Sequence, residues 1–122
     1  MFRSELLLEA DRRPGKWIVR APLIWACPNF GMVTVPYGIE TDLASIPQMA
    51  KGIPGFDPNG LSRRPAVLHD YLYQSHDVSR LDADQLLFDA LRAEGVGEPL
   101  ARVYYRAVRL FGSHPWEAAG RA

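Results

Sequence analysis

Apolar and polar residues alternate through the first third of the chain as they do in strands. Glu5 to Ala10 is one such run, Asp11 to Gly15 is a turn rich in charge, proline and glycine, and Trp17 to Trp25 restores the alternation with β-branched and aromatic residues. The two runs predict a hairpin. Beyond Pro28 and Asn29, residues Val33, Thr34 and Val35 form a third strand within Gly31 to Pro36, ended by Pro36 and Gly38. Three strands predict a small antiparallel sheet whose apolar face needs a helix to cover it.

From Ile39 to Ser62 the pattern breaks down, because Pro47, Gly52, Pro54, Gly55, Pro58 and Gly60 are too closely spaced for a long element. Long connections inside a domain are usually functional, so this segment is a place to expect a site. Helical spacing begins at Arg63, with Pro65 suited to a first turn, and continues to about Ser75. Ser79 followed by Asp82 resembles a capping box, and a second helix runs from there to Glu94 before Gly95. The connection between the two is short, which predicts an antiparallel pair in contact. A third helix starts near Pro99. It places Leu100, Val103, Tyr104, Ala107, Val108 and Phe111 on one stripe, sets Arg102, Arg106 and Arg109 on a solvated face, and stops at Gly112. Ser113 to Ala122, with His114 and Trp116, carries no clear signal. The expected class is α+β: a small N-terminal antiparallel sheet (1–38), a long irregular loop (39–62) and three C-terminal helices (63–122) in a single domain.

Composition narrows the possibilities for function. With 122 residues, 48% hydrophobic and 23% charged, the chain can bury a core. Fourteen basic residues balance fourteen acidic ones, so no global field draws it to nucleic acid or an anionic membrane, and no nucleic-acid partner is expected. The lone cysteine, Cys27, reads as a small buried hydrophobe and cannot form an internal disulfide. Leu6 to Leu8 is too short for a signal-peptide core, and no apolar run approaches the roughly 20 residues that cross a bilayer, so a soluble, unexported protein is expected.

The most informative residue is Asp84, which shares a helical face with Leu87, Phe88 and Leu91. A carboxylate on an apolar stripe needs a specific neighbour, unless it sits solvated in the first turn and is favoured there by the helix dipole. The candidate neighbour is His69, one turn before Leu72 and Tyr73 on the preceding helix. Paired with a carboxylate through one ring nitrogen, the imidazole keeps the other to take a proton from water. A structural histidine satisfied by the same bond is the alternative. Asp70 projects about 100° away on that helix and is a candidate metal ligand, with Asp42 as a second. Calcium suits such oxygen donors. Asp42, Ser45 and Asp57 read equally well as turn residues, and the pair His76 and Asp77 reads as a helix end and turn.

The segments Thr41-Asp42-Leu43-Ala44-Ser45-Ile46-Pro47, Leu68-His69-Asp70-Tyr71-Leu72-Tyr73 and Arg80-Leu81-Asp82-Ala83-Asp84 together resemble a small family encoded by tailed phages and prophages and known as a domain of unknown function. The likeness spans nearly the whole chain and departs at Ile39, where an aromatic is expected. It implies a protein made in the bacterial host cytoplasm, with incorporation into the virion as a further expectation. A second likeness is local: His69-Asp70-x-x-Tyr73 followed by Asp84-x-x-x-Phe88 is similar to the paired helices of phospholipase A2. It implies His69 as general base, Asp70 as calcium ligand, Asp84 orienting the histidine and Tyr73 hydrogen-bonding the acid. The glycine- and cysteine-rich calcium loop and the helix-linking disulfides of that family are missing.

Two readings therefore stand. One is a virion-associated or assembly component of tail, neck or capsid, meeting other phage structural proteins or a second copy of itself. The other is a metal-assisted hydrolase acting on an ester or amide of the host envelope.

Overall fold

The computed structural model describes residues 1–27, 31–41 and 60–120. Among the described residues the N-terminal part holds five short strands: β1 (Leu8–Ala10), β2 (Trp17–Val19), β3 (Leu23–Cys27), β4 (Gly31–Val35) and β5 (Glu40–Thr41). The expected hairpin forms between β1 and β2, with Leu8 opposite Val19 and Ala10 opposite Trp17. The single sheet does not. Pro22, which has no N–H to give a ladder, divides the Trp17–Trp25 run, and the strands sort into a sheet of order β1-β2-β5 and a separate β3-β4 pair. Within that pair Leu23 faces Val35 and Cys27 faces Gly31. Alternation in β3 buries Leu23, Trp25 and Cys27, as period-two geometry requires.

Among the described residues four helices follow: α1 (Arg63–Ser75), α2 (Arg80–Ala93), α3 (Glu98–Phe111) and α4 (Ser113–Gly120). The first three begin and end close to where the sequence pattern places them. Ser79 caps α2 as expected, its hydroxyl accepting from the Asp82 N–H at 3.0 Å. The fourth helix corrects the expectation of three. Gly112 ends α3 but also starts α4, since the Trp116 N–H donates to the Gly112 carbonyl at 3.0 Å. Eight residues are too few for a visible period. Pro115 there occupies a first turn, where a missing N–H costs nothing.

α1 and α2 are antiparallel: Arg64 at the start of α1 pairs with Glu94 just past the end of α2. α2 lies between two apolar clusters. Ala83, Leu86 and Ala90 join Val67, Leu68 and Leu72 of α1 and the buried strand residues Val19, Leu23, Trp25 and Val35. One step around the same helix, Leu87 and Leu91 join Ala101, Tyr104 and Val108 of α3. Val103 and Phe111 depart from the expected stripe. Both are exposed, Phe111 because it lies at the last turn, beyond the reach of the core. No helix of the described residues is long and apolar enough to cross a membrane.

Candidate functional site

His69 and Tyr73 stand four residues apart on α1 and therefore on one face, tilted against each other with ring centroids 4.2 Å apart. Asp84 faces them from α2. Its Oδ1 accepts from His69 Nε2 at 2.7 Å and from the Tyr73 hydroxyl at 2.6 Å. Oδ2 accepts from Arg109 Nη1 at 2.7 Å, with Arg80 Nη1 at 3.7 Å. Because an ionised carboxylate only accepts, Nε2 of His69 carries the proton of this bond and Nδ1 is the nitrogen left to act as acceptor. Asp84 is completely buried, and His69 and Tyr73 are almost so, which overturns the alternative of a solvated first-turn acid.

The electrostatics follow from this geometry. Burial pushes the Asp84 carboxyl up, but the hydrogen bonds from His69 and Tyr73, the His69 charge and the Arg109 bond together hold it below the ordinary 3.8. Burial, then the bond and charge of Asp84, raise the Tyr73 hydroxyl well above its ordinary 10. Arg80 completes the junction from the other side, its guanidinium donating to the Val108 and Arg109 carbonyls at 3.1 and 3.4 Å. There it caps the open carbonyl end of α3, where a cation is favoured.

The structure thus joins His69, Tyr73 and Asp84 and adds three residues that the sequence pattern does not place there. Arg109, expected on the solvated face of α3, is only partly exposed, because the last turn of α3 abuts α2 and the side chain turns inward. Arg80 was within reach of inference, standing four residues before Asp84 on the same helix. Trp116 is a third addition, packed edge-on to Tyr73 at 5.1 Å and stacked on His76 at 3.6 Å.

Asp70 is half-buried, engaged in contacts of its own, and is not among the partners of Asp84 given above. Asp42, Ser45 and Asp57, with most of the Thr41–Pro47 motif, lie outside the described residues. Among the described residues no three His, Cys, Asp or Glu side chains come together to hold a metal. Cavities of about 410 and 230 Å³ open near the start of α1, and neither is lined by His69, Tyr73 or Asp84.

The family described as "Protein of unknown function (DUF1353)" matches residues 17–108. Among curated proteins, the uncharacterized protein y4jT of Sinorhizobium fredii (strain NBRC 101917 / NGR234) is 30% identical over 105 residues, which is 86% of this chain and 31% of that protein. The chain therefore spans about a third of the length of this relative. No solved structure matches.

Proposed function

The chain belongs to the DUF1353 family, and on that footing we propose that it is a non-catalytic component of a phage particle or of its assembly, in which the Asp84 cluster locks the helices so that the outer surfaces can meet structural partners. The phage setting rests on the motif resemblance described above; those partners are other particle proteins or a second copy of the chain. The lock rests on one observation: both oxygens of a fully buried carboxylate are already occupied, by His69, Tyr73 and Arg109. A catalytic carboxylate helps by stabilising the imidazolium formed when histidine takes a proton. Here the Arg109 guanidinium already offsets the Asp84 charge, so little of that help is left.

The hydrolase remains the second reading, favoured by the Nε2 pairing that leaves Nδ1 as the proton acceptor. In that reading His69 is the base, Asp84 and Tyr73 position it, and Asp70 and Asp42 are the metal ligands. Among the described residues no three His, Cys, Asp or Glu side chains come together to hold calcium, Asp70 is engaged in contacts of its own, and Asp42 lies outside those residues.

The test compares the parent with His69→Gln, with and without calcium, on phospholipid and on peptidoglycan fragments. The expected result is no turnover by either protein, and recovery of the parent with assembled particles. Turnover by the parent that His69→Gln abolishes, with the fold intact by circular dichroism, would overturn the assembly reading in favour of the hydrolase.

A further inference from the structure

β4 ends its sheet: β3 pairs with it on one side, and among the described residues no strand pairs with it on the other. The far side of β3 shows which backbone groups of β4 are left open. There the start of the chain lies antiparallel to β3, with Phe2 opposite Trp25, the Ala26 N–H donating to the Met1 carbonyl and the Arg3 N–H donating to the Ile24 carbonyl. Ile24 and Ala26 therefore turn their backbone groups away from β4, and Leu23, Trp25 and Cys27 turn theirs toward it. Opposite those three stand Val35, Val33 and Gly31. The N–H and C=O groups of Met32 and Thr34 consequently point out of the sheet edge, and both residues are exposed, Met32 to 66%.

An open, uncharged edge is a template for another strand, and proteins ordinarily blunt it with charge, proline or a bulge. The other sheet does so at both of its edges. β1 carries Glu9, paired with Arg20, and β5 carries Glu40, paired with Arg13. β4 has no such device: Gly31 to Val35 contains no charge and no proline, and its register with β3 runs without a bulge.

The open groups are also complementary to themselves. When a second copy of the strand lies antiparallel with the two-fold axis at Val33, Met32 stands opposite the partner's Thr34, and Thr34 opposite the partner's Met32. Each pair exchanges both of its N–H···O=C bonds, so no outward group of the strand is left over. Half-buried Val33 meets its own copy, a β-branched pair that favours strand pairing, and no like charges are brought together. A strand of another sequence would have to be neutral in the same register, whereas a second copy always is. We propose that the chain dimerises through β4, two copies joining edge to edge about Val33 so that their β3-β4 pairs form one continuous sheet. The interface holds whether the Asp84 cluster is a lock or a catalytic centre, and an isologous pair of this kind closes on itself.

The experiment is sedimentation equilibrium of the full chain beside Thr34→Pro, Met32→Lys and, as a control on the exposed face of α3, Val103→Lys. Thr34→Pro removes an outward N–H without touching the ladder to β3, and Met32→Lys places a charge on the edge while keeping every backbone donor. A dimeric parent is expected, with the dissociation constant raised at least about tenfold in both β4 variants and unchanged in the control. Amide exchange at Met32 and Thr34 of the parent should be slow in the dimer and quicken on dilution to monomer. Should Thr34→Pro fail to fold, Met32→Lys and the exchange measurement decide. A parent that stays monomeric, a dimer indifferent to Met32→Lys and Thr34→Pro, or slow exchange at both amides in the monomer, which would mean that the chain covers its own edge, would each overturn the proposal.

Discussion

Arg109 and Asp84 meet at 2.7 Å where the last turn of α3 lies against the first half of α2, and the contact ties two helices through a charge that has no access to water. Removing one partner of such a pair leaves the other buried and under-satisfied. Arg109→Met should therefore destabilise the fold by about 1–3 kcal/mol, moderated by Arg80 nearby. Arg106→Met, on the exposed face of the same helix, should stay within about 0.5 kcal/mol of the parent. Urea denaturation of the two variants side by side checks the contrast, and equal losses would show that Arg109 acts as a surface residue.

Acid should weaken the protein through Asp84 in a defined window. The folded carboxyl is held below 3.8, so near neutral pH it is ionised in both folded and unfolded chains and its stabilisation is fully present. As the pH falls through the ordinary carboxylate range the unfolded chain takes up the proton first, and the contribution declines until the folded group also protonates. Asp84→Asn should be less stable than the parent at pH 7, with the difference narrowing below about pH 4. Melting temperatures of both proteins between about pH 2 and pH 7 measure this, and parallel curves would refute it.

The sequence carries the helices well because each has a start or stop signal with a physical cause: Ser79 as a cap, Pro65 and Pro99 in first turns, Gly95 and Gly112 past the ends. It also carries the contact of His69 with Asp84, since an acid on an apolar stripe must be answered from across the interface. The division into two sheets is harder to see. Pro22 marks a break, but which strand then pairs with which depends on long-range packing. β5 owes its place to pairing with β2 and has too few residues for any alternation. Arg109 eludes the sequence for a related reason. Wheel angle puts it on the solvated side, and only the position of α2 turns it inward. α4 is not legible for another reason: eight residues are too few to show a period.

Gly112 holds the Tyr73 hydroxyl in place by having no side chain. Its backbone is right-handed, with φ of −83°, so conformational freedom is not the reason for glycine here. A Cβ would run into the Tyr73 hydroxyl oxygen and the Val108 carbonyl oxygen, and would fall 3.0 Å from Arg80 Nη1. Two of those atoms belong to the Asp84 cluster and the third is a carbonyl that Arg80 caps. Gly112→Ala should cost about 1–3 kcal/mol through overpacking. Tyr73→Phe, which removes one of the crowded atoms, should cost less when added to Gly112→Ala than when made in the parent. Additive losses in that double-mutant cycle would exclude the clash.

His76 ends α1 with a left-handed backbone, φ 54°, the only non-glycine residue among those described with a positive φ. In that conformation its ring stacks on Trp116, nearly parallel at 4°, and its Nε2 lies 3.0 Å from the Trp116 carbonyl, which makes it the donor of that bond. Strain and docking are therefore opposed in a single residue. His76→Ala loses the stack and the hydrogen bond while keeping a backbone that costs an L-residue about 1–2 kcal/mol, so it should be destabilised by about 1–2 kcal/mol. His76→Gly loses the same contacts but relieves the strain, offset in part by the greater freedom of glycine in the unfolded chain, and should recover roughly half of that loss. Both variants free one face of Trp116, so amide exchange in α4 should quicken equally in the two even though their global stabilities differ. A glycine variant no more stable than the alanine variant would show that the left-handed turn carries no strain. Unchanged exchange in α4 would show that His76 does not hold that helix.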